Sequence, residues 1–428
     1  MVKIKFYGVG DWRSLASKVE DIWPPWAPRP SFEEVDELYC EEEAPQVVVS
    51  EEPVELGNCL YLWSRPDPRS IVLKALQLEY SRRREEASRR TLVTGKPALR
   101  PLEFPSADGG CLAPVGCDLC VRACPAGALR IDGGRPAVDG PRCANCGLCI
   151  SACPGGHMGH TTANWRAWAN VANFLRENPG EVSISCGEEA DLKVPCIGAL
   201  GPEELALLAS ASPLKLHCPD EKCPNRPAAE AALKIAEGLA AAAGGSFSGG
   251  VLALPRIDFT ASGSKRRDYA ELAFRMGLKG PASFNPHAYR VVVDPQRCTL
   301  CEVCARKCPT RALTIGREGG EVIKLFFNPA NCVNCGLCVR LCREGAIKIS
   351  EERELGWLRP RAEELDRDEV VRCRRCGAPV DNKKRLLKVA RTLGASLEDL
   401  AYCPSCRQEA TASLLLKALS GRAVGRDK

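Results

Sequence analysis

Apolar positions in the first hundred residues alternate between strand-like and helix-like spacing. Leu15, Val19 and Ile22, for example, recur at the three- and four-residue steps of a helix. The pattern predicts three strands and two helices, at residues 2–8, 46–50 and 60–63 and at residues 14–23 and 71–90. The second half of the last helix is almost wholly charged, as on a solvated helix face. We predict an α/β region of unknown role at residues 1–109.

The stretch at residues 161–285 alternates between the two patterns again. It predicts strands at residues 181–185, 192–194, 214–217 and 251–254 and helices at residues 165–174, 202–211 and 228–243. Strands and helices in alternation are typical of a parallel sheet covered by helices. We therefore predict that residues 161–285 form an α/β domain with a parallel sheet, between the two cysteine-rich segments at residues 110–160 and 286–352.

Length and composition limit the class of protein. A chain of 428 residues with 45% hydrophobic and 26% charged residues is expected to form about three globular domains. No apolar run reaches the roughly 18 residues of a membrane span, and the first residues lack a secretory signal. In the cytoplasmic location that this predicts, 26 cysteines indicate metal or redox chemistry, although some pairs could be disulfides if the source is hyperthermophilic.

Two cysteine runs at residues 298–342 have the spacing that holds a pair of iron–sulfur clusters. In each run, three thiolates two residues apart can bind three corners of one cube, and the fourth ligates the other cube. Zinc usually takes two pairs of cysteines, so the triplets argue against zinc and against disulfides. The runs are Cys298, Cys301, Cys304 and Cys308, then Cys332, Cys335, Cys338 and Cys342.

This segment, at residues 286–352, resembles the bacterial two-cluster ferredoxin module. The resemblance implies two [4Fe–4S] clusters, one on Cys298, Cys301, Cys304 and Cys342, the other on Cys332, Cys335, Cys338 and Cys308. Arg343 stands where a proline is usual in the module. A cation near a cluster favours the reduced form, so we predict a higher potential for the cube of Cys342 than for its neighbour.

Residues 110–160 repeat the pattern, which indicates an internal duplication. By the same resemblance, Cys143, Cys146, Cys149 and Cys124 hold one [4Fe–4S] cluster. The other set departs from the module, because Pro114 occupies the first ligand position. We favour Cys111 as the substitute, which gives the set Cys111, Cys117, Cys120 and Cys153. A three-iron cluster and an unusual ligand are the alternatives.

Four further cysteines follow predicted strands of the middle domain. Ligands of open α/β sheets bind at the carboxyl edge of the strands, and the four are expected there: Cys186, Cys196, Cys218 and Cys223. The strand ending in Cys186-Gly187 and the motif Val194-Pro195-Cys196-Ile197-Gly198 resemble the delta-subunit domain of methyl-viologen-reducing hydrogenases. That resemblance implies one [2Fe–2S] cluster on these cysteines. Unliganded or disulfide-paired cysteines are the alternative.

The C-terminal segment, residues 353–428, contains two Cys-x-x-Cys pairs. Residues 351–370 are charged and predict a linker or a surface helix. The pairs Cys373/Cys376 and Cys403/Cys406 form two knuckles of a tetrahedral site that resembles a zinc ribbon. Rubredoxin-type iron is the alternative to Zn²⁺. A closed four-thiolate site indicates a structural role.

Loaded clusters change the charge balance. The formal charge of +5 counts every thiol as neutral. Each four-thiolate cluster or zinc carries about −2, so four cubes and one zinc bring the chain to about −5. The basic balance therefore does not predict nucleic-acid binding.

Together these features predict an α+β multidomain, polyferredoxin-type protein. With no flavin or nicotinamide motif, we expect an electron-transfer subunit of a hydrogenase, heterodisulfide reductase or formate dehydrogenase type of complex rather than a stand-alone catalyst. Expected partners are flavin-, nickel- or pterin-containing subunits or soluble electron carriers, without nucleic acid or a membrane span. The alternatives are a reductase of disulfides or small molecules at the middle cysteines, and a nucleic-acid-associated protein with structural clusters.

Overall fold

The computed structural model describes residues 2–38, 45–54, 61–79, 104–187, 189–284 and 287–409. The chain divides into two compact units. Unit 1 comprises residues 1–288, 333–335 and 351–360, and unit 2 comprises residues 289–332, 336–350 and 361–428. Among the helices of the described ranges, none is long and apolar enough to cross a membrane.

Unit 1 begins with a four-stranded parallel sheet in the order β2-β1-β3-β4. The strands are β1 (Lys3–Tyr7), β2 (Ser31–Val35), β3 (Gln46–Val49) and β4 (Tyr61–Ser64), and the helices are α1 (Trp12–Asp21) and α2 (Pro68–Glu79). These elements confirm the predicted strands and the first helix. The predicted helix at residues 71–90 is confirmed as far as Glu79, and its charged half lies outside the described residues. The two cysteines that belong to none of the predicted sites, Cys40 and Cys59, also lie outside the described residues.

Helix α2 is buried along most of its length because it packs against both the N-terminal sheet and the middle domain. Its Gln77 donates from Nε2 to the carbonyl oxygen of Thr162 at 2.6 Å. Arg65, just before the helix, lies 2.9 Å from Asp191. The N-terminal sheet and the middle domain therefore belong to one packed body.

The first cysteine module consists of short elements around its loops. They are β5 (Ser106–Ala107), α3 (Leu119–Arg122), β6 (Leu129–Asp132), β7 (Arg135–Val138), α4 (Leu148–Ser151) and β8 (Met158–Gly159). Strands β6 and β7 form a hairpin whose turn residues, Gly133 and Gly134, both have positive φ, as two-residue hairpin turns require. Strand β5 pairs with β8, so the two ends of the module meet.

The middle domain contains a mixed five-stranded sheet in the order β10-β9-β11-β13-β12. Its elements are α5 (Trp165–Glu177), β9 (Val182–Ser185), β10 (Leu192–Lys193), α6 (Pro202–Ala209), β11 (Leu214–Leu216), α7 (Arg226–Ala243), β12 (Ser246–Ser248), β13 (Val251–Ala253) and α8 (Lys265–Arg275).

The prediction of a parallel sheet holds only for β10, β9 and β11. Strand β13 runs antiparallel to both β11 and β12. The chain reverses between β12 and β13 through Gly249 and Gly250, which both have positive φ. A turn this short joins antiparallel strands, because a parallel pair needs a long crossover.

Unit 2 holds the second cysteine module apart from residues 333–335 and the C-terminal segment from residue 361 onwards. Strands β14 (Ala288–Val293) and β17 (Ile347–Glu352) form one small sheet. A four-stranded antiparallel sheet contains β15 (Leu313–Glu318), β16 (Val322–Phe327), β18 (Glu363–Arg372) and β19 (Pro379–Asn382). The helices are α9 (Val303–Arg306), α10 (Leu337–Leu341), α11 (Lys383–Leu393) and α12 (Leu397–Leu400).

Strand β18 corrects the prediction of a linker or surface helix at residues 351–370. Its sequence is highly charged, but its backbone pairs with β16, which presents the buried side chains Ile323, Leu325 and Phe327. Charges on the sheet are paired across strands, as with Lys324 and Glu364 at 3.6 Å. Pairing with β16 thus overrides a sequence pattern that lacks apolar alternation.

A buried charged cluster joins the middle domain to the first cysteine module. Lys265, the first residue of α8, lies 2.7 Å from Glu204 and 4.0 Å from Glu203. Its Nζ also donates to the carbonyl oxygen of Ser151 at 3.2 Å, and His287 lies 2.7 Å from Glu203. Burial opposes ionisation of Glu203, but His287 and Lys265 hold its pKa below its ordinary value.

We predict that Lys265→Met lowers the thermal unfolding midpoint of the loaded protein. Removing the cation leaves the buried carboxyl group of Glu204 without its ion-pair partner and Glu203 with His287 as a remaining partner. Breaking a buried ion pair in this way typically destabilises a protein by about 3–5 kcal/mol. The matched control is Lys279→Met, because Lys279 is exposed. Equal midpoints for the two variants, measured anaerobically by calorimetry, would show that the buried cluster contributes nothing.

Candidate metal centres

The first module brings one group of four thiols together, which we call site A: Cys111, Cys117, Cys120 and Cys153. Cys117 and Cys120 both interact electrostatically with Cys111 and with Cys153. Burial raises the pKa of Cys120 to about 12, and the neighbouring thiols add to this effect. Four clustered, partly buried sulfurs fit the cysteine ligation of an iron–sulfur cluster.

Cys111 reaches this group because its loop is fixed to the loop after Cys153. The amide of Asp108 donates to the carbonyl oxygen of His157 at 2.9 Å, and the two side chains are also 2.9 Å apart. The amide of Cys111 then donates to the carbonyl oxygen of Asp108. A Cβ atom on Gly110 would lie 2.4 Å from the His157 ring, so the close approach requires glycine.

The backbone retains part of the regular motif around the substituted ligand. Gly116, one residue before Cys117, has φ +89°, and Leu300, one residue before Cys301, has φ +48°. Pro114 lies in a short 3₁₀ turn at Ala113–Val115. The longer loop therefore enters the second ligand position with a left-handed residue, as the regular loop does.

The second group of the first module is site B: Cys124, Cys143, Cys146 and Cys149. Cys149 interacts electrostatically with the other three and with Cys120 of site A. The amide of Ala128 donates to the Cys124 sulfur at 3.2 Å. Burial raises the pKa of Cys149 above its ordinary value. Sites A and B are thus neighbours.

In the second module the structure gathers Cys298, Cys301, Cys304 and Cys342, which we call site C. Cys304 interacts with the other three, and burial raises its pKa to about 11. Amides of Leu300 and Ala346 donate to the sulfurs of Cys298 and Cys342 at 3.4 and 3.3 Å.

The remaining ligand candidates of the second module are Cys308, Cys332, Cys335 and Cys338, which we call site D. Their loop repeats the backbone of site B. Asn334 and Gly336 have φ of +52° and +70°, and the corresponding Asn145 and Gly147 have +51° and +75°. In both modules the left-handed glycine immediately precedes a short helix that carries the third cysteine.

The C-terminal segment contributes residues to site C that sequence reasoning missed. Asp366 on β18 is buried, interacts electrostatically with Cys298 and lies 2.5 Å from Lys384. Asn382 donates from Nδ2 to the carbonyl oxygen of Leu300 at 3.2 Å. Arg343, the cation singled out in the sequence, is exposed to solvent. No periodicity in residues 351–370 identified the strand that places Asp366.

The four cysteines of the middle domain also come together, at the carboxyl ends of the parallel strands. Cys186 interacts electrostatically with Cys218 and Cys223, and Cys196 interacts with Cys186 and Cys218. Burial raises the pKa of Cys196 to about 11. We call this group the middle site. Arg226, at the start of α7, interacts electrostatically with Cys218 and adds a cation that the sequence pattern did not indicate.

The C-terminal cysteines form the tightest group. The sulfurs of Cys373, Cys376, Cys403 and Cys406 all lie within 4.8 Å of one another, and those of Cys376 and Cys403 are 3.6 Å apart. Zinc–sulfur bonds of about 2.3 Å in a tetrahedron place sulfurs about 3.8 Å apart. Backbone amides, chiefly that of Cys403, lower the pKa of Cys373 to about 6. The group fits a single tetrahedral metal ion.

Comparison with known families supports the iron–sulfur interpretation of both modules. The family model of the 4Fe-4S dicluster domain matches residues 115–157 and again residues 297–346. The chain therefore contains two domains of the 4Fe-4S dicluster type, and these domains indicate iron–sulfur electron transfer. The first match begins after Cys111, the residue that departs from the regular spacing. No curated protein matches the chain.

Cys111→Ser tests the substituted ligand of site A. We expect loss of about one to four iron atoms per chain, because oxygen is a poorer ligand than a thiolate in such clusters. A three-iron signal in the electron paramagnetic resonance (EPR) spectrum of the oxidised protein would accompany partial loss. The reference variant is Cys298→Ser, which removes the regular first ligand of the second module. Unchanged iron content in Cys111→Ser alone would exclude Cys111 as a ligand.

Cys376→Ser tests the C-terminal group. We expect loss of one zinc per chain with unchanged iron and sulfide, measured by elemental analysis. In the unaltered protein, zinc retention against a chelator should fall as pH falls, because the ligand thiols must be deprotonated to bind metal. Ser405→Ala, in the same knuckle, is the control and should retain zinc. Loss of iron instead of zinc would identify a rubredoxin-type site.

Proposed function

We propose that the chain is the electron-transfer subunit of a multi-subunit oxidoreductase. Sites A, B, C and D hold four [4Fe–4S] clusters, the middle site holds one [2Fe–2S] cluster, and the C-terminal group holds a structural Zn²⁺. The observation that carries the proposal is the presence of two dicluster domains, in the first of which the cysteines of sites A and B lie in neighbouring groups. The clusters supply one-electron chemistry.

The residues around the thiols support this role. Backbone amides donate to the sulfurs of Cys124, Cys196 and Cys342, and such hydrogen bonds stabilise the more negative, reduced state. Burial of Cys120, Cys149 and Cys298 limits solvent access to the sulfurs. The protein thus provides fixed ligands and little reorganisation on electron transfer.

An exposed apolar surface on the second module supports the proposal of a partner. Val303, Val339 and Leu341 are each more than a third exposed and lie between ligand cysteines. In the first module, Ile150, the counterpart of Val339, is buried. Apolar side chains beside a redox centre are suited to docking another protein, because they bury area while bringing the centres close. We propose that a cytoplasmic redox subunit or soluble carrier docks here.

A second function has one observation in its favour. Cys186 is exposed although the other middle-site thiols are partly or fully buried. A disulfide or small molecule could reach that sulfur, so a reductase acting at the middle site is the alternative proposal. In that case Cys186 would be a free thiol, which alkylation of the anaerobic protein would detect.

Elemental analysis and low-temperature EPR of the anaerobically purified chain test the proposal. We expect about eighteen irons and one zinc, with every cluster reducible and one signal typical of [2Fe–2S]. Cys196→Ser should remove about two irons and that signal. Its matched control is Ser185→Ala, which changes a side chain at the same edge of the sheet but removes no cluster ligand. If no electron donor can reduce the clusters, they have a structural role, and this result would contradict the proposed electron transfer.

A further inference from the structure

The loop of site B lies directly against the middle site. The thiols of Cys146 and Cys196 are close enough to interact electrostatically. The turn that carries Cys196 continues as a 3₁₀ helix, Ile197–Ala199, which packs on α4 of the first module. Two groups of ligand thiols from different domains of unit 1 therefore meet at one contact.

Two glycines make the contact as close as backbone allows. A Cβ atom on Gly147, next to Cys146, would lie 2.4 Å from the Cβ of Ala199. A Cβ atom on Gly198 would lie 2.8 Å from the carbonyl oxygen of Cys146. Both distances are shorter than van der Waals contact allows, so a side chain at either position would push the two loops apart.

A polar anchor fixes the same contact. Asn225 donates from Nδ2 to the carbonyl oxygen of Ala144, which lies between two site B cysteines, at 2.6 Å. Asn225 also precedes α7, but its side chain makes no capping hydrogen bond to that helix. Its side-chain amide thus bonds with the site B loop and leaves the helix N-terminus uncapped.

The contact is a property of this copy of the module and not of the module in general. At Gly336, the counterpart of Gly147, the heavy atom nearest to a Cβ would belong to the flexible side chain of Arg340. In the remaining ligand run of the second module, Glu302 occupies the same position with φ +66°. A close glycine contact is therefore a feature of site B.

We propose that sites A, B and the middle site form a linear relay in which the contact of Cys146 and Gly147 with Cys196 and Gly198 carries electrons between site B and the middle site. This inference rests on the proposed function, which leaves the order of centres open. With a reduced [4Fe–4S] cluster held at site B and an oxidised [2Fe–2S] cluster held at the middle site, one electron would pass from the first to the second across this contact. No atom or proton is transferred. The rate of electron tunnelling falls exponentially with the distance between two centres. The closeness of this contact therefore determines how fast electrons pass between site B and the middle site.

EPR of the reduced, full-length protein measures the contact directly. Two paramagnetic centres in close proximity broaden each other's signals, and the interaction weakens with the cube of their distance. We expect the [2Fe–2S] signal of the unaltered chain to be broadened when site B is reduced and to sharpen when site B is oxidised during a redox titration.

Three variants separate the contact from the clusters themselves. Gly198→Val should push the two loops apart. Asn225→Ala should remove the hydrogen bond to the carbonyl oxygen of Ala144 without removing a side-chain cap of α7. Both should keep full iron content and show weaker broadening than the unaltered chain. Gly187→Ala is the matched control, because Gly187 adjoins Cys186 and a Cβ there would lie 3.5 Å from the hydroxyl of Ser185, which is ordinary van der Waals contact. It should retain the broadening.

The outcomes distinguish the relay from the proposed function. An unbroadened [2Fe–2S] signal in the unaltered chain, with all cubes reducible, would overturn the relay and leave an electron-transfer protein. Absence of a cluster at the middle site would also overturn the relay. Broadening of unchanged size in both Gly198→Val and Asn225→Ala would show that the contact does not control the distance between the clusters of site B and the middle site.

Discussion

The structure depends on gathering thiols in places where thiolates alone would be unstable. Burial raises the pKa of Cys120, Cys149 and Cys298, and each neighbouring sulfur adds to the effect. Buried thiolates persist only when a bound cation compensates their negative charge. Iron is therefore part of the folding free energy of both modules, because their short helices and turns bury little apolar area of their own.

Much of the fold was predictable because local patterns and tertiary structure agree there. Alternating residues such as Ile4 and Phe6 do become buried strand positions, and the spacing around Trp168 does give a buried helix. The mixed sheet of the middle domain was not predictable from periodicity, since strand direction depends on the Gly249-Gly250 turn. Strand β18 was missed because its stability comes from pairing with β16 and not from its own side chains.

The candidate sites show the same division. The cysteine motifs, together with the resemblance to two-cluster ferredoxins, predicted sets of thiols that the structure places near one another at sites A, B and C and in the C-terminal group. The residues that position them, such as Asp108 with His157 or Asp366 with Cys298, are distant in sequence and carry no motif. Only the fold brings them into contact. The closeness of Cys146 to Cys196 likewise depends on which surfaces of two domains pack together.

Strand β18 has a consequence for biosynthesis. Asp366 and Asn382 follow Cys298 in the chain by 68 and 84 residues, yet both contact the loop that begins with it. While the ribosome is still translating the intervening residues, that loop lacks two of its final neighbours. Site C therefore attains its mature environment late, after most of the chain has been synthesised. At sites A and B, in contrast, the last ligand cysteine is Cys153, so all of their ligands are synthesised before residue 154.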